Sequence, residues 1–246
     1  MKISKEFITF VLSLAAKKNF KKHFSFSTHE KKAFTDILIY GRSEYLFQGI
    51  KNQHVFNPKQ QSILRRNYKL RLFKRNLIIE DFKKTSKQLA EKNIFFIPLK
   101  GIHLNMLQED QIRNLRDIDL LVRKKDISLV IKSLKEIGFS FKNKDYVFNS
   151  DHLEDDYSYD INPMFNKHGT CIEIHYKIFR KTDCKISESM FKTSKKFIYE
   201  NQQFFLPCLE DLASHLIFHA TTKQGLDNGI QIVIDLVNIF EMRNFD

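Results

Sequence analysis

Several residue types are scarce or absent in this chain. Its 246 residues include no Trp, four Pro and seven Gly, so the sequence has few sharp breaks. The Cys residues, at positions 171, 184 and 208, are an odd number and form no Cys-x-x-Cys pair. This spacing indicates neither a zinc site nor a disulfide framework. We therefore expect a reducing, cytoplasmic environment.

Motifs of several common enzyme classes are also missing. The chain contains neither Gly-x-x-x-x-Gly-Lys-Ser/Thr nor Gly-x-Gly-x-x-Gly, so a P-loop enzyme or a dinucleotide-dependent dehydrogenase has no support. His215 and His219 have the spacing of a helical metal pair, but Leu216 follows where a zinc protease requires Glu. The sequence thus argues against these classes.

No apolar run is long enough to span a bilayer. The longest candidate near the N-terminus, residues 7–16, contains Thr9 and Ser13 and follows Glu6. It is too short for a transmembrane helix, and no Ala-x-Ala cleavage pattern follows it. The spacing of its apolar residues predicts a packed helix, and we expect no stable membrane insertion.

The positive charge is unevenly distributed. The formal net charge is +12, but residues 1–100 carry 22 Lys and Arg against 7 Asp and Glu, whereas the remainder is slightly acidic. A basic half can attract an anionic partner such as tRNA or a nucleotide, because phosphate contacts dominate nucleic-acid affinity. A solvated, lysine-rich surface is the alternative. The balance of 42% apolar and 28% charged residues is typical of a globular protein.

Hydrophobic periodicity predicts an α+β fold. Residues 1–92 have helical patterns, residues 93–206 alternate between strand and helix, and residues 207–246 are again helical. We expect a mixed sheet with helices on one side, preceded by an N-terminal helical region and followed by C-terminal helices. The predicted strands are residues 94–99, 118–122, 139–141, 146–149, 157–162, 171–179, 196–199 and 204–206; the predicted helices between them are residues 102–107 and 125–137.

Two carboxylates open one of these strands. Asp117 directly precedes the apolar run at residues 118–122, and Asp119 is its second residue. Alternate side chains of a strand share one face. The two carboxylates would lie about 6.6 Å apart along the strand and could bind a divalent cation. Mg²⁺ needs only one or two carboxylates when a nucleotide supplies further oxygens. A third carboxylate from another strand would allow a two-metal site, and the best candidate is Glu173, which shares a strand face with His175.

Basic residues surround these carboxylates in the sequence. Lys100 and Gly101 lie at a predicted strand-to-helix turn, a position that favours anion binding. Arg113 is a candidate phosphate ligand, and Arg116 could contact phosphate or pair with the nearby aspartates. His175 could orient Glu173, contact a phosphate, or be a structural histidine.

Together these motifs resemble a known family. Lys100-Gly101, Arg113 four residues before Asp117-x-Asp119, and Ile172-Glu173-Ile174-His175 are similar to the uncharacterised nucleotidyltransferases of the DNA polymerase beta superfamily. The resemblance extends from about residue 67 through the last helix. Two positions depart from the pattern: the superfamily usually has Gly-Ser at the Lys100-Gly101 turn, and Arg116 stands where a small residue is common.

The resemblance implies a metal-dependent nucleotidyltransferase. It assigns Asp117, Asp119 and Glu173 to catalysis and metal binding, with Mg²⁺ or Mn²⁺ as cofactor. Nucleotide binding would involve Lys100, Gly101, Arg113, Arg116 and His175. The co-substrate would be a nucleoside triphosphate, and the acceptor could be a small molecule, a protein or tRNA. Two alternatives are a toxin that modifies tRNA by the same chemistry and a catalytically silent binding or antitoxin-like module.

Overall fold

The computed structural model describes residues 27–40, 56–107, 114–143, 145–150, 160–178, 185–222 and 230–243. The chain divides into two compact units. The first comprises Met1–Leu72, Ile112–Asn114 and Leu216–Asp246, and the second comprises Phe73–Gln111 and Leu115–His215. The helix predicted at residues 7–16 lies outside the described residues.

Helices and strands alternate along the central part of the chain. The helices within the described residues are α1 (Thr28–Tyr40), α2 (Pro58–Glu91), α3 (Lys100–Leu107), α4 (Ile127–Glu136), α5 (Lys185–Thr193), α6 (Leu209–Thr222) and α7 (Ile230–Arg243). The strands are β1 (Phe96–Pro98), β2 (Asp117–Val122), β3 (Ser140–Phe141), β4 (Met164–Phe165), β5 (Cys171–His175), β6 (Lys195–Tyr199) and β7 (Gln202–Leu206).

In the first unit, reciprocal side-chain caps begin α1 and α2. Ser27 Oγ accepts a hydrogen bond from the Glu30 backbone N–H at 3.2 Å, and the Glu30 carboxylate accepts one from the Ser27 N–H at 3.1 Å. Asn57 and Gln60 form the same arrangement at the start of α2. Each pair satisfies backbone donors that a helix start leaves free. Gln60 also donates to Thr35 Oγ1 at 3.0 Å, which ties α2 to α1.

A five-stranded mixed sheet forms the centre of the second unit. Its strand order is β1-β2-β5-β4-β3. The pair β2–β5 is parallel, while β1–β2, β5–β4 and β4–β3 are antiparallel. A parallel pair needs a crossover connection, and the chain from α4 through β4 supplies it. The two strands that carry the predicted carboxylates are therefore direct neighbours.

Apolar side chains cover both faces of this sheet. Ile118, Leu120 and Val122 lie in one core cluster with residues of α2 and α4, including Phe82 and Val130. Leu121 alternates to the opposite face, because adjacent strand residues point in opposite directions. There it joins a second cluster that contains Met190 and Phe191 of α5. The expectation of helices on one side only was wrong, since α5 packs against the second face.

The strands β6 and β7 form a separate two-stranded sheet. Their connecting residues, Glu200 and Asn201, have φ of 45° and 62°. Two successive positive φ angles are typical of the tight hairpin turns that match strand twist. Phe204 of β7 stacks on Phe82 of α2 with ring centroids 5.5 Å apart. The hairpin therefore contributes to the main core of the second unit.

The weaker strand predictions fail in part. Residues 146–149 are not a strand, and Val147 among them is 80% exposed. Of the predicted strand at residues 157–162, Asp160 forms only an isolated bridge with His175, and residues 157–159 lie outside the described part of the chain. The helix α5 and the two-residue strand β4 were not predicted. The strand β5 ends at His175 rather than at residue 179.

The fold class predicted from the sequence is confirmed. The strands of a mixed sheet lie in the middle of the sequence, with helices before and after them. Among the described helices, none combines the length and apolar character that crossing a membrane requires.

Candidate active site

The parallel register of β2 and β5 aligns the acidic residues. Asp119 is the Cα partner of Glu173, and Asp117 is the partner of Cys171. Leu121 is paired with His175 in the same way. Because residues in register on neighbouring strands point to the same face, the side chains of Asp119 and Glu173 lie next to each other.

An unusual backbone conformation brings Lys100 to the same place. The Leu99 N–H donates to the Asp119 carbonyl oxygen at 2.9 Å. The next residue, Lys100, has φ of 48° at the point where α3 begins. A positive φ is uncommon for a residue with a side chain and costs free energy unless other contacts compensate for it. Here the turn directs the Lys100 ammonium towards the carboxylates of the sheet.

Lys100 makes an ion pair with Asp119. Its Nζ lies 2.6 Å from Asp119 Oδ1 and 3.9 Å from Glu173 Oε2. The side chain of Lys100 is 12% exposed and that of Asp119 is 2% exposed, whereas Glu173 retains 28% exposure. The ammonium therefore lies between the two carboxylates and is closely bonded to the more buried one.

His175 contacts the same carboxylate oxygen. Its Nε2 lies 2.9 Å from Asp119 Oδ1 and 3.6 Å from Glu173 Oε2. An ionised carboxylate can only accept hydrogen bonds, so Nε2 is protonated and its N–H donates a hydrogen bond to Asp119. Asp119 Oδ1 thus accepts from both Lys100 and His175.

These contacts set the charge states of the ion pair. Burial alone would raise the pKa of Asp119, but the charge of Lys100 and the hydrogen bond from His175 lower it well below its usual range. For Lys100, burial lowers the pKa, yet the charges of Asp119, Glu173 and Asp117 outweigh burial and raise it. Asp119 is therefore an anion and Lys100 a cation at neutral pH.

Glu173 lies in an excess of negative charge. Burial and the neighbouring charges of Asp119 and Asp117 raise the pKa of Glu173 to about 8, although Lys100 acts in the opposite direction. Burial, followed by the charges of Glu173, Asp117 and Asp119, raises the pKa of the Cys171 thiol to about 12. Because the repulsion from Asp119 and Asp117 exceeds the attraction of Lys100, a further positive charge beside Glu173 would be stabilising.

The donor set matches a divalent cation. One ligand atom each from Asp119, Glu173 and His175 lies within 4.8 Å of the others. Carboxylate oxygens suit Mg²⁺ and Mn²⁺, whereas His175 Nε2 could ligate a metal only in place of its hydrogen bond to Asp119. The negative field around Glu173 is the environment that a divalent cation would relieve. The residues thus fit the metal that the sequence resemblance implies.

The remaining predicted site residues fall in different places. Asp117 is half-buried at the start of β2, and its charge acts on both Lys100 and Glu173. Gly101 is buried in the first turn of α3. Arg116 is exposed immediately before β2. Arg113 lies outside the described residues. The structure therefore brings together Lys100, Asp119, Glu173 and His175, with Asp117 near enough to contribute charge.

One supporting group was not predicted from the sequence. The buried carboxylate of Asp81 on α2 accepts hydrogen bonds from Thr170 Oγ1 at 2.6 Å and from Asn166 Nδ2 at 2.7 Å. Asn166 Oδ1 in turn accepts from the backbone N–H groups of His168 and Thr170. This turn leads directly into β5, so Asp81 holds the segment that delivers Glu173 and His175. No local spacing signals a partner that lies 89 residues away in the chain.

Comparison with known proteins identifies the family. The family model described as uncharacterised nucleotidyltransferase matches residues 41–246, which is most of the chain. The chain belongs to this family. The resemblance stated from its Lys-Gly, Asp-x-Asp and Glu-x-His motifs is thereby confirmed.

Solved structures with similarity to this nucleotidyltransferase family member have low sequence identity. The lincomycin-bound lincosamide antibiotic adenylyltransferase LnuA is 13% identical, with a TM-score of 0.45 over 66% of this chain and 96% of that one. ANT(2'')-Ia in complex with adenylyl-2''-tobramycin is 10% identical, with a TM-score of 0.45 over 68% and 98%. An antigenic nucleotidyltransferase-like protein from Paracoccidioides brasiliensis is 16% identical, with a TM-score of 0.41 over 64% and 72%. No curated protein matched the sequence.

Proposed function

We propose that this protein is a metal-dependent nucleotidyltransferase that moves a nucleoside monophosphate from a nucleoside triphosphate to an acceptor. The acceptor oxygen forms a bond to the α-phosphorus, and the bond from that phosphorus to the bridging oxygen breaks. Pyrophosphate leaves with the electron pair, and the proton of the acceptor passes to Asp117, Glu173 or solvent.

One observation carries this proposal beyond family membership. The parallel register of β2 and β5 aligns Asp119 with Glu173, and Lys100 faces both carboxylates. Oxygen ligands beside a fixed cation are the groups that binding of a metal and a triphosphate requires. Burying such charges costs desolvation free energy, so the ion pair favours a functional site over a purely structural contact.

The residues have distinct proposed roles. Asp117, Asp119 and Glu173 would hold Mg²⁺ or Mn²⁺, which when bound offsets charge on the phosphates and lowers the pKa of the acceptor. His175 donates to Asp119 and fixes the orientation of its carboxylate. Lys100 and Arg113 supply positive charge for phosphate oxygens, with Gly101 at the turn. Arg116 is exposed beside β2 and could contact either nucleotide or acceptor.

Label transfer tests this function directly. The protein is incubated with Mg²⁺ or Mn²⁺ and each of the four nucleoside triphosphates in turn, labelled at the α-phosphate, together with total tRNA, a metabolite extract or cellular protein. We expect one triphosphate to transfer its label to one acceptor class, with release of pyrophosphate. Asp119→Asn should abolish transfer, because Asn cannot supply the charge, while Asp145→Asn, an exposed Asp outside the site, should not.

Two outcomes would overturn the proposal. If wild type and Asp119→Asn gave the same products, the assigned site would be wrong. If the protein bound no metal-triphosphate complex and transferred no label, a catalytically silent binding or antitoxin-like module would be the better description.

tRNA is a second candidate acceptor because of the basic N-terminal half. Residues 1–100 carry 22 of the chain's 41 Lys and Arg residues. Three that are exposed on α2 are Arg65, Arg66 and Lys69. Phosphate contacts by such residues give salt-dependent binding that is independent of base sequence. Label recovered on tRNA, and lost together with tRNA binding when these residues are replaced by Gln, would assign the protein to tRNA modification.

A further inference from the structure

The ammonium of Lys100 lies where a cation is needed. Its Nζ is 2.6 Å from Asp119 Oδ1 and 3.9 Å from Glu173 Oε2, and these two residues belong to the group that could ligate a metal. The protein therefore already holds one positive charge among its candidate metal ligands. A metal ion that binds Asp119 through Oδ1 must compete with this ammonium.

The competing ammonium is held firmly. The Leu99 N–H donates a hydrogen bond to the Asp119 carbonyl oxygen. The positive φ of Lys100 directs the Lys100 side chain to this side of the sheet. The side chain is 12% exposed, so water replaces little of a lost ion pair. Removing the partner of a buried charge costs more than the pair contributes, because the remaining charge stays desolvated.

The free-energy cost of breaking the Lys100–Asp119 ion pair therefore differs between binding of a bare metal ion and binding of a metal-triphosphate complex. A bare ion that takes Asp119 leaves Lys100 buried without that carboxylate, and it repels the ammonium. A triphosphate brings its own anionic oxygens, and a lysine ammonium pairs readily with phosphate. Only the second ligand gives Lys100 a new partner at the moment it loses the old one.

From this geometry we infer that Lys100 selects the metal-triphosphate complex over the free metal ion. Without triphosphate, Lys100 pairs with Asp119 and opposes entry of a divalent cation. With triphosphate, Lys100 exchanges Asp119 for phosphate oxygens, and the carboxylate becomes available to the metal. This inference rests on the proposed function, since it assumes a triphosphate substrate.

Metal binding measured without turnover tests the exchange. The probe is Mn²⁺, followed by electron paramagnetic resonance, with and without a nucleoside triphosphate whose α,β-bridging oxygen is replaced by methylene. The variants are Lys100→Met, which keeps most of the side-chain length and removes the charge, and Lys100→Arg, which keeps the charge. Lys100→Gln is a second neutral variant in case Met impairs folding, and Lys125→Met removes an exposed charge from the same unit as a control.

We expect Lys100→Met to change the affinities for free Mn²⁺ and for the Mn²⁺-triphosphate complex in opposite directions. Free Mn²⁺ should bind roughly tenfold more tightly than to wild type, within the range typical of coupling between bound ligands. Binding of the Mn²⁺-triphosphate complex should weaken by a similar factor. Lys125→Met should remain close to wild type in both measurements, and Lys100→Arg, which keeps the charge, should shift both affinities less than Lys100→Met does. In wild type, the triphosphate analogue should increase the affinity for Mn²⁺.

The failures of the two proposals are distinguishable. If Lys100→Met and Lys100→Gln bind free Mn²⁺ no more tightly than wild type, while wild type still binds the Mn²⁺-triphosphate complex, the exchange is wrong and the nucleotidyltransferase proposal stands. If wild type binds neither free Mn²⁺ nor the complex, both proposals are overturned.

Discussion

Thr170 donates a 2.6 Å hydrogen bond to Asp81, although 89 residues separate them in the chain. Both residues are buried, and Asp81 also accepts a hydrogen bond from Asn166. The contact joins α2 to the turn before β5. It therefore connects the interior of the second unit to the strand that carries Glu173 and His175.

Breaking the hydrogen bond between Thr170 and Asp81 should destabilise the protein, and the effects of replacing the two residues should not be additive. We expect Asp81→Ala to lower the free energy of unfolding by about 1–3 kcal/mol, because it leaves the buried Thr170 hydroxyl unpaired. Thr170→Val should lower it as well, and the double variant should lose less than the sum of the two. Urea denaturation of the four proteins measures the cycle. Additive losses within about 0.5 kcal/mol would show that the two side chains act independently.

The hydrogen bond that His175 donates to Asp119 should contribute to the free energy of unfolding. His175→Leu removes the donor beside a buried carboxylate and should cost about 1–3 kcal/mol of unfolding free energy. His175→Gln keeps an N–H group and should lose less. Urea denaturation compares the two variants with wild type. Equal losses would mean that packing of the ring, rather than its hydrogen bond, sets the cost.

His103 should make stability depend on pH. It is fully buried in α3, neither ring nitrogen has a hydrogen-bond partner within the described residues, and burial lowers its pKa from 6.5 to about 3. Between those two values the unfolded chain binds a proton that the folded protein does not. Stability should therefore fall as the pH drops below about 6.5, by up to about 1.4 kcal/mol per pH unit. Above that pH, His103 contributes no slope.

The variant His103→Leu isolates this effect. Leu has no titrating group, so the difference in unfolding free energy between wild type and variant should change steadily from pH 6.5 down to pH 3. At pH 7 the substitution should be neutral or stabilising, because an unpaired buried polar ring is replaced by an apolar side chain. Identical pH profiles of the two proteins would contradict a buried neutral His103.

Arg123 should stabilise the second unit through its planar guanidinium. Its Cζ lies 5.3 Å from the ring centroid of Phe95 and 4.8 Å from that of Phe191. We expect Arg123→Met to lose about 1–2 kcal/mol, given the size of cation–π interactions at partly exposed sites. Thermal unfolding measured alongside Phe191→Leu and the double variant provides the check. A loss in Arg123→Met that persists undiminished in the Phe191→Leu background would show that this ring is not involved.

The sequence predicted the strands of the site because their patterns are strong. Residues 118–122 are apolar except for Asp119, and Ile172 and Ile174 alternate with polar residues, so both strands follow from side-chain periodicity alone. The short strands β3 and β4 have two residues each, which is too few to establish a period. Their existence depends on pairing with β5 and its neighbours rather than on local pattern.

Contacts within the site were less accessible to prediction. The sequence places Lys100 before a helix, and this favours a phosphate ligand. The ion pair with Asp119 instead depends on the left-handed backbone of Lys100 and on its bond to β2 through Leu99. Neither feature has a signature in the residue types, since left-handed positions are normally occupied by Gly or Asn. The contact of His175 with Asp119 likewise depends on the parallel register, which periodicity does not specify.

The parallel pair β2–β5, the one found among the described strands, also has a consequence for the order of assembly. His175 and Asp119 are 56 residues apart in the chain, and the segment between them must cross over before β5 can lie beside β2. Closing such long loops slows folding relative to forming local structure. Local helices such as α4 can form before this crossover closes, but Asp119 and Glu173 can lie side by side only after β5 has paired with β2.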